Sequence, residues 1–253
     1  MIEVKNVEKS FGENKVLKGV STVFETGKTN LIIGQSGSGK TVLLKSLLGI
    51  HTPEVGTISF DGRIYSDLTP DEKRELRTEI GMVFQGSALF DSMSVAENVG
   101  FPLKMFTENA KSEIQDRVDF VLKRVNLINA NHKLPSEISG GMQKRVAIAR
   151  AIVNNPKYLF CDEPNSGLDP NTATLIDNLI QEITEEYNIT TVINTHDMNS
   201  VMEIGEKILF LKNGIKAWEG TKKEIFKTDN EAIVAFVYSS NLFKKVREAY
   251  LKG

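Results

Sequence analysis

Residues 34–41 constrain the fold of this chain more than any other segment, because they match the phosphate-binding loop pattern G-x-x-x-x-G-K-[ST] in full. Residues 31–33 before them are typical of a short buried strand, and residues 42–48 after them are typical of a helix that Gly49 ends. Glycines in such a loop let successive backbone N–H groups point at phosphate oxygens. The segment therefore predicts a nucleotide-phosphate site made of Gly34, Gln35, Ser36, Gly37, Ser38, Gly39, Lys40 and Thr41.

Two side chains of the loop suit phosphate chemistry directly. Lys40 supplies a mobile positive charge for the β- and γ-phosphates, and the Thr41 hydroxyl is a Mg²⁺ ligand. The helix N-terminus that follows adds positive potential. The alternative is a glycine- and serine-rich turn before an ordinary core helix, and the strand–loop–helix context favours the phosphate site.

Composition limits the remaining possibilities. The chain has 253 residues, enough for one domain with appendages or two small domains. A formal net charge of −2 gives no broad attraction toward nucleic acid or anionic membranes. Cys161 is the single cysteine, so no internal disulfide forms, and its apolar neighbours predict a reduced core residue. With no apolar run of membrane-spanning length, we expect a cytosolic protein whose partner supplies any span.

Strand and helix patterns alternate along the chain. Alternating or apolar runs near residues 2–7, 16–24 and 56–62 predict an antiparallel β layer, and further strands are expected at 80–84, 158–161, 190–194 and 208–211. Helical periodicity dominates residues 95–155 and returns at 171–187. The prediction is an α/β fold with a parallel sheet core, an antiparallel β layer and an inserted helical subdomain.

Two predicted strands after the phosphate loop also end in polar residues. The strand at 158–161 is followed by Asp162 and Glu163, and the strand at 190–194 is followed by Thr195 and His196. Ligands of open parallel sheets bind beyond the carboxyl ends of the strands. Asp162 then suits Mg²⁺, Glu163 suits an attacking water, and His196 suits the γ-phosphate. Each also has a plain alternative as a surface or core residue.

Weaker signals lie outside these strands. Ser139 alone would cap a helix, so the glycines Gly140 and Gly141 indicate either a flexible helix start or a backbone that something must approach closely. Gln85 follows a predicted strand, where its amide could ligate Mg²⁺ and sense the γ-phosphate. Phe11 could stack on a nucleotide base, or it could be a core or hinge residue.

Together these segments resemble the ATP-binding cassette (ABC) ATPases. The resemblance covers residues 1–220 and follows the family order of aromatic residue, Walker A, Q-loop, signature, Walker B, D-loop and switch histidine. The signature usually reads Leu-Ser-Gly-Gly-Gln, whereas this chain has Ile138 and Met142 at its ends. The corresponding residues here are Phe11, 34–41, Gln85, 138–142, Asp162 with Glu163, 165–169 and His196.

The resemblance implies a mechanism and a set of site residues. Two copies would pack head to tail, each ATP lying between one copy's loop and the other copy's Ser139, Gly140 and Gly141. Glu163, His196, Gln85 and Lys40 would be catalytic, and Thr41, Gln85 and Asp162 would hold Mg²⁺. ATP would contact Phe11, residues 34–41, Val42 and residues 139–141. The expected layout is an ATPase domain over 1–220, with a helical subdomain at about 86–157, and a helical tail over 221–253.

A finer resemblance lies in residues 84–95, which are similar to the ATPase of Mla-type phospholipid transporters, as is the Ser-Gly-Gly-Met variant. It implies phospholipid trafficking between bacterial membranes, with the ATPase at the cytoplasmic face of the inner membrane. The implied partners are a second ATPase subunit, a transmembrane permease, an MCE substrate-binding protein and a STAS-domain protein. The alternative cargo is an amino acid or a metal chelate.

Two other classes share these motifs. SMC-type chromosome and DNA-repair ATPases place long coiled coils between Walker A and the signature, but here only 99 positions separate Lys40 from Ser139 and no heptads are sustained. That spacing and the near-neutral charge argue against a nucleic-acid partner. A cassette that binds ATP without turnover is disfavoured by the presence of Glu163 and His196.

Overall fold

A computed structural model describes residues 1–238. These residues form two compact units, one made of residues 1–68 with 192–238 and the other of Thr69–Thr191. We call them unit 1 and unit 2. The phosphate loop lies in unit 1, and the segment carrying Gln85, Ser139 and Glu163 lies in unit 2.

Unit 1 contains an antiparallel sheet with strand order β2-β1-β4-β5. Asp61 and Gly62 form the turn between β4 and β5, and both have positive φ, at 47° and 83°. Such a pair forms the tight hairpin that an Asp-Gly sequence favours. The strands are β1 (Ile2–Phe11), β2 (Asn14–Phe24), β4 (Val55–Phe60) and β5 (Arg63–Ile64).

The second group of strands in unit 1 has the order β10-β9-β3-β8. β3 runs parallel to β9, and β10 pairs antiparallel with β9 through a turn at Asn213 and Gly214. β8 begins in unit 2 and ends in unit 1. These strands are β3 (Thr29–Ile33), β8 (Thr190–Asn194), β9 (Lys207–Lys212) and β10 (Ile215–Gly220), and the helices are α1 (Lys40–Leu47), α7 (Met198–Ile204) and α8 (Glu231–Val237).

Unit 2 is mainly helical around two parallel strands, β6 and β7. The helix over Gly140–Ile152 packs closely on β6 (Ile80–Val83). A Cβ added at Gly81 of the strand would lie 2.3 Å from the carbonyl oxygen of Ala151 of the helix. Glycine is therefore required there for helix and strand to approach. The elements are α2 (Pro70–Thr78), β6 (Ile80–Val83), α3 (Val95–Phe106), α4 (Lys111–Arg124), α5 (Gly140–Ile152), β7 (Tyr158–Asp162) and α6 (Pro170–Glu186).

The predicted α/β architecture is confirmed, with parallel strands, an antiparallel sheet and helices after Gln85. Two helices, α2 and α7, were not predicted. Among the described helices, none is long and apolar enough to cross a membrane. In the region of the predicted helical tail the structure has the helix α8, whereas residues 239–253 of that prediction lie outside the described residues.

Candidate functional site

The phosphate loop joins β3 to α1, as the sequence predicts. β3 ends at Ile33, and α1 begins at Lys40. Gly34 has φ 152°, and a Cβ on it would meet the carbonyl oxygen of Leu211 at 2.3 Å and the Ser38 hydroxyl at 2.6 Å. A side chain at this position would therefore displace the loop from the neighbouring strand. The loop backbone is built around glycine for a steric reason.

Lys40 is held inside the loop. The residue is 7% exposed, and its amine donates to the carbonyl oxygens of Gly34, at 2.9 Å, and Gln35, at 3.1 Å. The Ser38 hydroxyl is also buried and has no hydrogen-bond partner among the described residues. An ammonium group and a buried hydroxyl beside the N-terminus of α1 form a donor-rich loop that suits an anion.

Thr41 is positioned by a residue that sequence reasoning missed. The Asn194 amide donates to the Thr41 hydroxyl at 3.4 Å, and Asn194 is the last residue of β8. Asn194 is buried at the carboxyl end of its strand. A buried amide directly before Thr195 and His196 was the available signal. The contact places β8 beside the start of α1 and fixes the orientation of the Thr41 hydroxyl.

The other predicted residues of unit 1 are accessible. Phe11 is 46% exposed, which contradicts a core position for this ring. Its ring makes an edge contact with His51, with centroids 5.1 Å apart, and the Lys9 amine lies 5.3 Å from its centroid. His196 is exposed two positions after the end of β8, and Val42 is half-buried in the first turn of α1.

Unit 2 brings together Gln85 and Glu163, which are 78 positions apart in sequence. The Gln85 amide nitrogen donates to the Glu163 carboxylate at 3.3 Å. β7 ends at Asp162, and Glu163 then adopts a φ of 47°, an uncommon conformation for a non-glycine residue. Such conformations concentrate where a side chain must be aimed for function.

The serine and two glycines begin α5. Ser139 is its N-cap and accepts from the Met142 N–H at 3.3 Å. A Cβ on Gly141 would meet the Thr172 methyl group at 2.8 Å, so close packing on α6 explains that glycine. A Cβ on Gly140 would meet only Leu168, at 3.8 Å. Packing within unit 2 therefore does not require glycine at 140, which is consistent with the close-approach hypothesis for this exposed position.

Cys161 has the structural role that the sequence predicts. It is fully buried in β7, and burial raises the pKa of its thiol well above the ordinary range. A neutral buried thiol is a poor nucleophile and a poor metal ligand. The sequence pair Asp169–Pro170 is typical of an N-cap and a first helical residue. The structure has them in these roles, since Asp169 accepts from the Thr172 N–H at 3.0 Å and Pro170 begins α6.

The side chains proposed for Mg²⁺ have suitable chemistry. Thr41, Gln85 and Asp162 offer hydroxyl, amide and carboxylate oxygens, which Mg²⁺ prefers. The contact of Gln85 with Glu163 uses the amide nitrogen and not the amide oxygen, which is the atom that suits Mg²⁺. No group of three or more His, Cys, Asp or Glu residues with metal-binding geometry occurs within residues 1–238.

Comparison with known proteins gives consistent results. A family model described as ABC transporter matches residues 17–166. The probable ribonucleotide transport ATP-binding protein mkl of Mycobacterium leprae is 39% identical over 235 residues, covering 92% of this chain and 67% of that protein. The methionine import ATP-binding protein MetN of Clostridium tetani is 40% identical over 226 residues, covering 89% and 71%. The chain thus spans about two thirds of the length of these relatives.

Solved structures match this chain over most of its length. The dimeric structure of MJ0796, described as a bacterial ABC transporter cassette, matches with a TM-score of 0.80 and 36% identity over 88% of this chain and 99% of that one. A dimeric post-hydrolysis structure of the same cassette, bound to ADP and Pi, matches with a TM-score of 0.78 at the same identity and coverage. Together with the phosphate loop and the Gln85–Glu163 contact, these matches show that this chain belongs to the ABC transporter family as an ATP-binding cassette with ATPase activity.

Proposed function

We propose that two copies of this chain hydrolyse ATP to drive a membrane permease, most specifically one that moves phospholipid between bacterial membranes. The observation that carries the coupling is the position of Gln85. Its side chain contacts Glu163, and its neighbours in the chain, Phe84, Ala88 and Phe90, line an apolar groove. One short segment thus joins a surface suited to a partner with the residue proposed to activate water.

The proposed chemistry assigns distinct tasks to the described residues. The loop at 34–41 and the N-terminus of α1, including Val42, bind the triphosphate, and Phe11 stacks on the base. Glu163 accepts a proton from the attacking water, Lys40 neutralises charge on the transferred phosphoryl group, and His196 contacts the γ-phosphate. In a head-to-tail dimer, Ser139, Gly140 and Gly141 of one copy would close over the nucleotide of the other.

Magnesium is part of this proposal, held by Thr41, Gln85 and Asp162. When bound, Mg²⁺ neutralises charge on the β- and γ-phosphates. The remaining roles belong to protein side chains. Glu163 orients the water, and Gln85 holds the Glu163 carboxylate in place. The metal role of Gln85 and its contact with Glu163 use different atoms of one amide.

The groove in unit 2 is the proposed docking site of the permease. It has a volume of about 420 Å³, and most of its surface is apolar. Phe84, Phe90 and Phe106 are exposed apolar residues on its walls. An exposed aromatic groove of this size is suited to an apolar side chain of a partner. Its further lining includes Arg77, Ile80, Met82, Ala88, Phe101, Pro102 and Arg150.

We predict that Phe106→Asp uncouples the ATPase from its permease. A charge on this wall of the groove would have to be desolvated against an apolar partner, so stimulation of ATPase by the permease should fall at least about tenfold. Phe120→Asp on α4 is the matched control, because Phe120 is similarly exposed and does not line the groove. ATPase assays of both variants, alone and with the permease in nanodiscs, test this. Equal stimulation of the two variants would contradict the docking site.

The proposed cargo rests on a sequence similarity in the segment that forms part of the groove. Residues 84–95 carry the similarity to Mla-type ATPases and supply part of the groove wall through Phe84, Ala88 and Phe90. The curated relatives are named for ribonucleotide transport and methionine import. Of the two alternative cargoes, an amino acid and a metal chelate, the amino acid is therefore supported by the name of a relative.

Purifying the ATPase with its membrane partner tests the cargo. In nanodiscs, a phospholipid transporter should show an ATPase rate that changes with phospholipid headgroup, and phospholipid should co-purify with the permease or its substrate-binding protein. Addition of methionine, a ribonucleotide or a metal chelate should leave the rate unchanged. Stimulation by one of these solutes with no response to lipid would overturn the phospholipid assignment and retain the transport ATPase.

The same proposal specifies partners and location. It requires a second ATPase subunit and a transmembrane permease, and its lipid form adds an MCE substrate-binding protein and a STAS-domain protein. The ATPase would then lie at the cytoplasmic face of the inner membrane, bound through its permease. No nucleic-acid partner is proposed, and tight DNA or RNA binding at physiological salt would contradict this assignment.

A further inference from the structure

The segment that carries Gln85 is tied to α5 by two basic side chains, of which Lys144 is buried and Arg150 half-buried. The Lys144 amine donates to the backbone carbonyl oxygen of Gln85. The Arg150 guanidinium donates to the carbonyl oxygens of Ser87 and Ala88, each at 2.7 Å. Both basic residues belong to α5, the helix that begins with the serine–glycine motif. Three carbonyl groups of one loop are thus bound by a single helix.

Backbone conformation shows why the loop needs such support. Ser87 and Ala88 have φ values of 62° and 46°, in the left-handed region that side-chain-bearing residues rarely adopt. The Ser87 N–H donates to the carbonyl oxygen of Phe84 at 2.9 Å, which closes a tight turn around Gln85. A turn of this kind persists only where the surrounding structure holds it. The bonds from Lys144 and Arg150 supply that constraint.

Lys144 is unusual because its charge is buried. The residue is 5% exposed, and the pKa of its amine is lowered because burial outweighs the attraction of the Glu163 carboxylate. Burying a lysine is unfavourable unless its amine is hydrogen-bonded. At an exposed position a lysine is explained by solubility or helix propensity. Neither reason explains a lysine at this buried position. Its bonded partner, the Gln85 carbonyl, lies on the residue whose side chain contacts Glu163.

We propose that Lys144 is a positioning residue for ATP hydrolysis, which fixes the Gln85 backbone so that the Gln85 side chain holds the Glu163 carboxylate. The inference rests on the proposed roles of Gln85 and Glu163. Lys144 lies about one turn after Ser139, Gly140 and Gly141 on the same helix. A displacement of α5 at its N-terminus would therefore move the Lys144 amine and, with it, the Gln85 backbone. The helix would link events at the serine–glycine motif to the geometry of Glu163.

A double-mutant cycle tests this proposal. Lys144→Met removes the amine and retains an unbranched apolar side chain. Relative to wild type, it should lower kcat by about 10- to 100-fold, the loss expected when a reacting group is misplaced by about 1 Å. The KM for ATP should stay within about twofold, because the phosphate loop is untouched. Lys144→Arg, which retains a cationic donor, should recover most of the rate. Lys123→Met on α4 is the control for loss of an exposed lysine.

The cycle separates a positioning role from a general structural one. In the Gln85→Ala background, Lys144→Met should cause less than about a twofold further loss, because Lys144 acts through Gln85. Multiplicative losses, an unchanged kcat for Lys144→Met, or a KM effect alone would each overturn the proposal. If Lys144→Met does not fold by circular dichroism, Lys144→Gln takes its place in the same cycle. Failure of the function proposal is distinct, since Gln85→Ala or Glu163→Gln would then retain full ATPase activity.

Discussion

Glu163→Gln is expected to reduce ATP hydrolysis by at least about 10²-fold while ATP binding persists, because general-base catalysis commonly contributes about 10²- to 10⁴-fold. The replacement is nearly isosteric, and its amide oxygen can still accept the hydrogen bond from Gln85. What is lost is the carboxylate that takes the proton from water. Binding without turnover should trap a dimer that holds ATP, which single-turnover assays and size-exclusion chromatography with Mg²⁺-ATP would detect.

The control for this variant is Glu182→Gln, since Glu182 is an exposed acid of α6 that pairs with Arg124 on the surface. Its loss should leave turnover unchanged, because exposed ion pairs contribute little to stability. Normal hydrolysis by Glu163→Gln would remove Glu163 as the base. A loss of turnover in both variants would point instead to a general effect of removing acidic charge from unit 2.

The second large effect is expected for Lys40→Ala. The Lys40 amine now binds the carbonyl oxygens of Gly34 and Gln35, and the same amine is proposed to contact the β- and γ-phosphates. Each charge-assisted bond that is lost should cost about 1.5–3 kcal/mol, or about 10- to 150-fold in affinity. We expect ATP affinity to fall by at least about 10-fold and hydrolysis to become undetectable. Fluorescent-nucleotide titration and phosphate release measure the two effects.

Lys45→Ala provides the matched control on the same helix, because Lys45 is exposed in the last turn of α1. It should bind and hydrolyse ATP like wild type. The loop bonds of Lys40 also stabilise the protein, so thermal unfolding of Lys40→Ala should be compared with that of the control. Wild-type ATP affinity in a folded Lys40→Ala protein would contradict the phosphate role of this lysine.

Sequence reasoning located most of the elements because their patterns are local. The loop glycines, the apolar strand before Asp162 and the Asp169–Pro170 helix start each carry their structural reason within a few residues, and the structure has each of them. The helix α2 was missed although Thr69 and Glu72 form a capping box around its start, which was a readable signal. The seven-residue helix α7 has too few turns for periodicity to identify it.

The contacts that position the site were not predictable in the same way. Asn194 reaches Thr41 across 153 positions, and Lys144 reaches the Gln85 carbonyl across 59. A single sequence contains no pattern that pairs such distant residues. The burial of Lys144 is likewise a tertiary property, because a lysine on a helix is ordinarily solvated. The different surroundings of the two signature glycines also appear only in three dimensions. A Cβ on Gly141 would clash with Thr172, whereas a Cβ on Gly140 would make an ordinary contact with Leu168.

The central claim is that each ATP is bound by the phosphate loop of one copy and the serine–glycine motif of the other. Gly140→Asp is well suited to damage the motif, because a Cβ on Gly140 would lie 3.8 Å from its nearest neighbour, Leu168, and the new charge would repel the γ-phosphate. Differently tagged copies allow Lys40→Ala and Gly140→Asp to be combined on one chain or divided between the two chains of a purified heterodimer.

The ATPase rates of these two heterodimers test the claim most directly. With the substitutions on separate chains, both damaged parts fall in one site and the other site is intact, so hydrolysis should persist. With both substitutions on one chain and a wild-type partner, each site has one damaged part and hydrolysis should be lost. The reverse result, in which activity survives only when both substitutions share a chain, would show that each copy forms its site alone and would contradict the account.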